Sequence, residues 1–157
     1  MQVPVIFVWI VLLLIFVPGI FYLLTLQKTL RIISPLSRMM SPPQVWLLLI
    51  PLFNIIWHFV VVSRLSDSIK NECIRLHIPL KEKKTAYLLG IGIMCLYLFA
   101  VIVNETGVTP IAGGVLTLGC YAGWVLYWIR INDYRSLIEE NRDNFLLDAE
   151  REAEGGE

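Results

Sequence analysis

Long uncharged apolar runs dominate the pattern of hydrophobic and polar positions along this chain. Four of them span residues 3–26, 45–62, 85–103 and 111–129. The hydrocarbon core of a bilayer is about 30 Å thick, so a helix needs about 20 mostly apolar residues to cross it. The pattern therefore predicts an all-α, polytopic membrane bundle with four transmembrane helices.

The polar remainder divides the chain into two parts. Residues 1–130 form the predicted transmembrane helical domain, and residues 131–157 form an acidic tail expected in the cytoplasm. The tail has nine acidic and three basic residues, so its net charge is −6. Apolar residues recur in it at helical spacing, which predicts an amphipathic C-terminal helix with a disordered end.

Composition agrees with a membrane protein and narrows the function classes. The chain is 57% hydrophobic and 17% charged, against about 45–50% and about 25% in soluble domains. The formal net charge of zero gives no bulk attraction to nucleic acid, so no nucleic-acid partner is predicted. Cys73, Cys95 and Cys120 form no CxxC pair, so neither a disulfide framework nor a zinc site is indicated. No cofactor and no metal is predicted.

The distribution of Lys and Arg orients the chain, because cytoplasmic loops carry the excess. With four crossings, both termini and loop 63–84 lie in the cytoplasm with ten of the 13 basic residues. The alternative is three crossings, with segment two re-entrant or interfacial and all 13 basic residues inside. Four crossings are favoured because segment two offers eighteen residues without formal charge. Both arrangements place the C-terminus in the cytoplasm.

Segment two contains the candidate intramembrane polar site, which consists of Pro51, Asn54 and His58. Asn54 and His58 are four residues apart and share a helix face. A polar residue inside a membrane is a functional-site hypothesis by default. The functional interpretations of His58 are a proton relay, a metal or haem ligand, or a substrate contact. The plain one is an interhelical hydrogen bond from His58 to Asn54 or to a carbonyl group of another segment.

Small residues in segments three and four predict close helix packing, since they let helix backbones approach in lipid. The pairs are Ala86 with Gly90 and Gly119 with Gly123, and the partner helix is left open between this chain and another copy. Trp124, Tyr127 and Trp128, just before Arg130, resemble an interfacial aromatic belt.

A basic cluster precedes segment three and consists of Lys81, Lys83 and Lys84. Such a cluster orients the chain and contacts anionic lipid, or it contacts a partner.

Residues 27–73 carry a more specific pattern, in which Arg38, Pro42, Trp46, Pro51, Asn54 and Trp57 are spaced as R-x3-P-x3-W-x4-P-x2-N-x2-W. This stretch resembles a group of small bacterial multi-pass membrane proteins of unknown function. The resemblance implies a multi-helix protein of the bacterial inner membrane, and it implies no reaction.

No phosphate loop, dinucleotide fingerprint, HExxH or GxSxG element is present in the sequence. The expected function is therefore non-enzymatic: an accessory or structural subunit, or a homo-oligomeric component, of a bacterial inner-membrane assembly. The expected partners are the lipid bilayer and other membrane subunits or copies of itself. The alternative is a small oligomeric transporter or channel that uses the Pro51, Asn54 and His58 stripe. A weaker possibility is an enzyme acting on lipid, with Asp67 and Glu72 as generic candidates.

Overall fold

A computed structural model describes residues 5–79, 85–105 and 110–154 of the chain, and in these residues every regular element is helical. The elements in chain order are α1 (Val5–Ile32), the short 3₁₀ helix η1 (Pro42–Leu49), α2 (Phe53–Arg75), α3 (Thr85–Glu105) and α4 (Pro110–Glu154). The all-α prediction is confirmed.

The predicted number of transmembrane helices is wrong. In the described residues, two helices are long and apolar enough to cross a membrane, not four: Ala86–Val103 in α3, and a window within Ile111–Leu147 of α4. By length and composition alone, these two match segments three and four.

Segment two, which we expected to form one helix over residues 45–62, is broken in the middle. The chain leaves η1 at Ile50, whose ψ of 114° is extended. A residue before a proline is driven out of the helical region by clash with the proline ring, and Pro51 follows here. The α-helix starts afresh at Phe53 and continues to Arg75, well past the end of the apolar run.

The helix directions follow from a few contacts. Helices α3 and α4 are antiparallel, because Gly90 lies against Tyr127 while Gly123 lies against Ile93. Helices α1 and α4 are parallel. The ring of Tyr22 is 5.3 Å from that of Trp124, and three residues further on Thr25 accepts a hydrogen bond from Trp128.

Helix α2 runs in the same direction as α1. His58, near its start, meets Tyr22 of α1. Near its end, Asn71 donates a hydrogen bond to the carbonyl oxygen of Ser37, just beyond α1. The segment between α1 and α2 contains η1, which runs in the opposite direction to both helices. Helices η1 and α2 therefore form a helical hairpin.

The buried core lies where the second half of α1 meets α2, η1 and the middle of α4. Its fully buried apolar side chains include Leu26, Leu30, Val61, Leu65 and Ile131. The first half of α1 is different. Its described large apolar side chains there are exposed, from 44% at Val17 to 72% at Ile6. An exposed apolar surface of this extent marks a contact with lipid or with another protein.

The acidic tail is a direct continuation of α4. This helix has 45 residues and is about 68 Å long at 1.5 Å per residue. Ile131 and Ile138 are fully buried, so the first turns of the tail belong to the core. Further on, the Arg75 guanidinium lies 5.7 Å from the ring centre of Phe145. The sequence predicts a frayed end over residues 152–157, but α4 continues to Glu154, and residues 155–157 lie outside the described part of the chain.

Candidate functional site

The turn of the η1–α2 hairpin has an unusual backbone. Leu52 has φ 64° and ψ −46°, and the Phe53 N–H donates to the Pro51 carbonyl oxygen at 2.7 Å. A three-residue turn with a positive central φ is a rare and strained form of the γ-turn. The Leu52 side chain is 86% exposed, so no packing among the described residues compensates the strain.

The structure separates the three residues of the predicted polar site. Pro51 and Asn54 are exposed at the turn, whereas His58 is partly buried one turn further along α2. His58 Nε2 lies 3.3 Å from the hydroxyl oxygen of Tyr22, and the two rings stack with centroids 6.2 Å apart. The partner of His58 is therefore a side chain of α1, which the sequence did not indicate.

Tyr22 lies at the centre of an aromatic cluster that connects α1, α2 and α4. Its ring packs edge-on against Trp124 and Trp128. The Trp128 indole N–H donates to the Thr25 hydroxyl at 2.9 Å. Tyr127 is 2% exposed. Tyr127 is therefore buried in the bundle, and Trp124 and Trp128, which the sequence grouped with it as an interfacial aromatic belt, are partly buried against α1.

The aromatic cluster also marks a common level on three parallel helices. Tyr22, His58 and Trp124 meet there. In each helix the next charged residue comes six positions later, about 9 Å along the axis. These first charged residues are Lys28, Arg64 and Arg130. The uncharged stretches of α1, α2 and α4 thus end together on one side of the molecule.

Polar contacts hold η1 in place between α1 and α2. The Trp46 indole N–H donates to Gln27 Oε1 of α1 at 3.2 Å. The Trp57 indole N–H, from α2, donates to the Gln44 carbonyl oxygen at 2.9 Å. The two tryptophans of the sequence motif therefore connect η1 to both of its neighbours. Arg38 of the same motif donates to the Ile33 carbonyl oxygen at 2.8 Å, just past the end of α1.

The loop over residues 33–41 is fastened to α2. The Met39 N–H donates to the Ser68 hydroxyl at 2.8 Å, and Arg64 donates to the Met39 carbonyl oxygen at 3.1 Å. The backbone of this loop thus finds partners without regular secondary structure.

A buried charge, Glu72, lies further along the contact between this loop and α2. The Glu72 side chain is completely buried and accepts two hydrogen bonds from Arg75, at 3.1 and 2.6 Å. Burial raises the pKa of Glu72, but hydrogen bonds from Arg75, Ser37 and the backbone of Ser34, together with the charge of Arg75, bring it below its ordinary value near 4.5. Burial and the neighbouring Glu72 raise the pKa of the Cys73 thiol to about 11, so this cysteine is an inert core residue.

The small residues of α3 and α4 pack at close range within the chain. A Cβ atom on Gly90 would lie 2.5 Å from Val62 Cγ1 and 2.9 Å from Tyr127 Cε2. One on Gly123 would lie 2.9 Å from Ile93 Cγ1, and one on Gly119 would come only to 4.0 Å of Leu96. Ala86 is buried. The basic cluster Lys81, Lys83 and Lys84 lies outside the described residues.

Sequence reasoning missed one further feature, an open cavity of about 460 Å³ beside η1 that Arg38 and Arg64 line together. The available signal was that Arg38 belongs to the motif and Arg64 is the first charge after segment two. Arg38 and Arg64 line the same cavity because the η1–α2 hairpin folds back on itself, which the sequence did not predict. In the part of the chain that the structure describes, no group of three or more His, Cys, Asp or Glu residues is arranged to hold a metal ion.

Comparison with known proteins adds no relative. No family model, no curated protein and no solved structure matches this chain.

Proposed function

We propose that this chain is a non-enzymatic integral protein of the bacterial inner membrane and an accessory component of a larger membrane assembly. Helix α1, helix α3 and the first part of α4 cross the bilayer. The η1–α2 hairpin enters it from the cytoplasmic side and returns. The start of α1 faces outward, and the charged half of α4 lies in the cytoplasm. This is the three-crossing arrangement that the sequence left as its alternative.

The parallel course of α1 and α4 is the observation that carries this topology. Four crossings would make these two helices antiparallel, and three crossings make them parallel. The Tyr22–Trp124 and Thr25–Trp128 contacts favour the second arrangement. The first charged residues of α1, α2 and α4 lie on one side, as the positive-inside rule expects of a cytoplasmic face. Residues 5–27 of α1 carry no charge, which supports α1 as a third crossing beside the two apolar helices.

The hairpin has the properties expected of a re-entrant segment. Leu52 precedes Arg64 by twelve positions, so it reaches about 18 Å from that charge, roughly half of a 30 Å hydrocarbon core. Its tip exposes the apolar side chains of Leu49, Ile50, Leu52 and Ile56, with Asn54 as an exposed polar residue among them. Non-helical backbone is tolerated at such depth only where protein surrounds it. The contacts of Trp46 and Trp57 attach η1 to α1 and α2 in this way, whereas Leu52 at the turn is exposed and needs a neighbouring subunit of the assembly to cover it.

The accessory role rests on the cytoplasmic half of α4. From Arg130 to Glu154 this helix extends about 36 Å, and residues 131–157 have a net charge of −6. Phe145, Leu146 and Leu147 lie on this acidic helix and are 40–52% exposed. An anionic membrane surface repels such a helix, so its apolar side chains are suited to docking a protein. The alternative, a transporter using His58 and Asn54, has less support because Asn54 is exposed at the turn and His58 already pairs with Tyr22.

Reporter fusions test the topology. We expect a reporter after Arg38 and one after Glu157 to be cytoplasmic, and one before Met1 to be outside. The fusion at Arg38 is decisive, because four crossings would place it outside. An external signal there would refute the re-entrant hairpin.

Affinity purification of the tagged full chain from its native membrane tests the accessory role. We expect a defined partner or a defined oligomer to accompany the wild type, and a loss of at least tenfold in the variant Leu146→Ser/Leu147→Ser. The control is Asn144→Ser, which changes an exposed polar residue of the same stretch and should keep the partner. A wild-type chain that purifies as a monomer without partners contradicts this role.

A further inference from the structure

The cavity beside η1 is lined by positive and neutral polar groups and has no acidic residue. Arg38, Ser41 and Gln44 line it from the loop and η1, and Arg64 lines it from α2. Pro35, Met39 and Met40 complete the wall. In the described part of the chain, the ion pairs are Glu72–Arg75, Arg135–Glu139 and Arg142–Asp143, so neither cavity arginine has a carboxylate partner there.

Both guanidinium groups are held by backbone oxygens and keep donors in reserve. Arg38 donates from one terminal nitrogen to the carbonyl oxygens of Ile33 and Arg31, at 2.8 and 3.4 Å. Its Nε atom is buried and has no hydrogen-bond partner among the described residues. Arg64 donates from one terminal nitrogen to Met39, at 3.1 Å. Since a guanidinium carries five N–H donors, most of them remain for a ligand.

The position of the cavity identifies the ligand chemistry. Arg64 belongs to the set of first charged residues, about 9 Å beyond the aromatic cluster. In the proposed topology, on which this inference rests, that level is the headgroup layer of the cytoplasmic leaflet. The anionic group that every phospholipid places there is a phosphate, and paired guanidinium groups match its oxygens. Exposed Leu36 and Met39 beside the cavity offer an apolar surface to the adjoining part of the lipid.

We propose that Arg38 and Arg64 bind the phosphate group of a phospholipid headgroup in this cavity, fixing a lipid between the loop and the re-entrant hairpin.

The test is native mass spectrometry of the detergent-solubilised full chain with added phosphatidylglycerol, compared with inorganic phosphate. We expect one tightly retained lipid on the wild type. Arg64→Gln should weaken its retention about tenfold, the effect of losing one charge-assisted hydrogen bond. Arg130→Gln is the matched control, because it removes the same charge from the same side of the molecule, outside the cavity. It should leave retention within about twofold.

Both arginines also bind backbone carbonyl groups, Arg38 at the end of α1 and Arg64 at Met39, so removal of either side chain would disturb the fold as well. Arg38→Lys therefore serves as a second variant, which keeps the charge and loses the planar fork, and retention should fall less than with Arg64→Gln. Equal losses in Arg64→Gln and Arg130→Gln would overturn the proposal in favour of diffuse electrostatic attraction. Displacement of the lipid by millimolar inorganic phosphate would overturn the lipid as the source of the phosphate group. If the wild type retains no lipid while the Arg38 fusion is cytoplasmic, the site is refuted and the topology stands.

Discussion

The α3–α4 hairpin and the η1–α2 hairpin are both built from long uncharged stretches, yet they are held together in different ways. In the first, apolar helices approach closely at Gly90 and Gly123. In the second, tryptophan N–H groups fasten η1 to its neighbours by donating to the Gln27 side-chain oxygen and to the Gln44 backbone carbonyl oxygen. The first is a simple pair of apolar helices, and the second doubles back on itself within eighteen residues.

The difference shows that hydropathy does not define the path of the backbone. Residues 45–62 carry no formal charge and have the length of a crossing helix. Pro51 interrupts helical hydrogen bonding because proline has no N–H to donate, whereas the two prolines at the start of η1 occupy positions where a helix needs no N–H donor. Polar side chains then supply the partners that the interrupted backbone needs.

The largest expected effect tests the contact between the two hairpins at Gly90. Replacing Gly90 by Ala places a methyl group 2.5 Å from Val62, whose branched side chain is stiff in a helix. We expect the free energy of unfolding to fall by about 1–3 kcal/mol, as measured by denaturant titration of the solubilised protein.

Gly92→Ala is the matched control two residues along the same helix. Nothing lies within 4 Å of a Cβ atom there, so only the higher helix propensity of alanine acts. Stability should stay equal or rise by up to about 1 kcal/mol. Equal effects at Gly90 and Gly92 would show that α2 does not pack against α3 at Val62.

The next effect concerns Glu72, the buried charge of α2. Glu72→Gln removes a charge-assisted pair with Arg75 and should lower stability at neutral pH by about 1–3 kcal/mol. The pKa of Glu72 is lowered in the folded state, so its contribution is present above the ordinary pKa near 4.5 and is lost as the pH falls below it. The free energy of unfolding, measured against pH, should therefore change less in the acid range for the variant than for the wild type.

Glu139→Gln is the corresponding control, since Glu139 is 48% exposed and 3.8 Å from Arg135. We expect a change below about 1 kcal/mol and an unaltered acid response. A Glu72 variant with the same pH profile as the wild type would contradict the buried ion pair.

The smallest effect tests the turn of the η1–α2 hairpin. Leu52→Gly should raise the free energy of unfolding of the solubilised protein by about 1 kcal/mol, because glycine adopts a positive φ without strain. Ile55→Gly, in the first turn of α2, should lower it by about 1 kcal/mol. If both variants destabilise alike, the γ-turn at Leu52 is wrong.

The candidate site was only partly predictable. The i, i+4 spacing correctly placed His58 one turn beyond Asn54, but the Pro51 break places Asn54 at an exposed turn. The partner of His58, Tyr22, is 36 positions away, and no local pattern connects them. The same holds for Arg38 and Arg64, which share a cavity because η1 folds back.

The all-α class, the two apolar helices α3 and α4 and the segregation of charge could be predicted from the chain alone, because each follows from local composition and helical period. Tertiary structure alone decided that α1 and α4 run parallel and that segment two turns back at Leu52. These depend on contacts between residues far apart in the chain, such as Thr25 with Trp128. A hydropathy pattern indicates the length of a helix but not its direction relative to another helix.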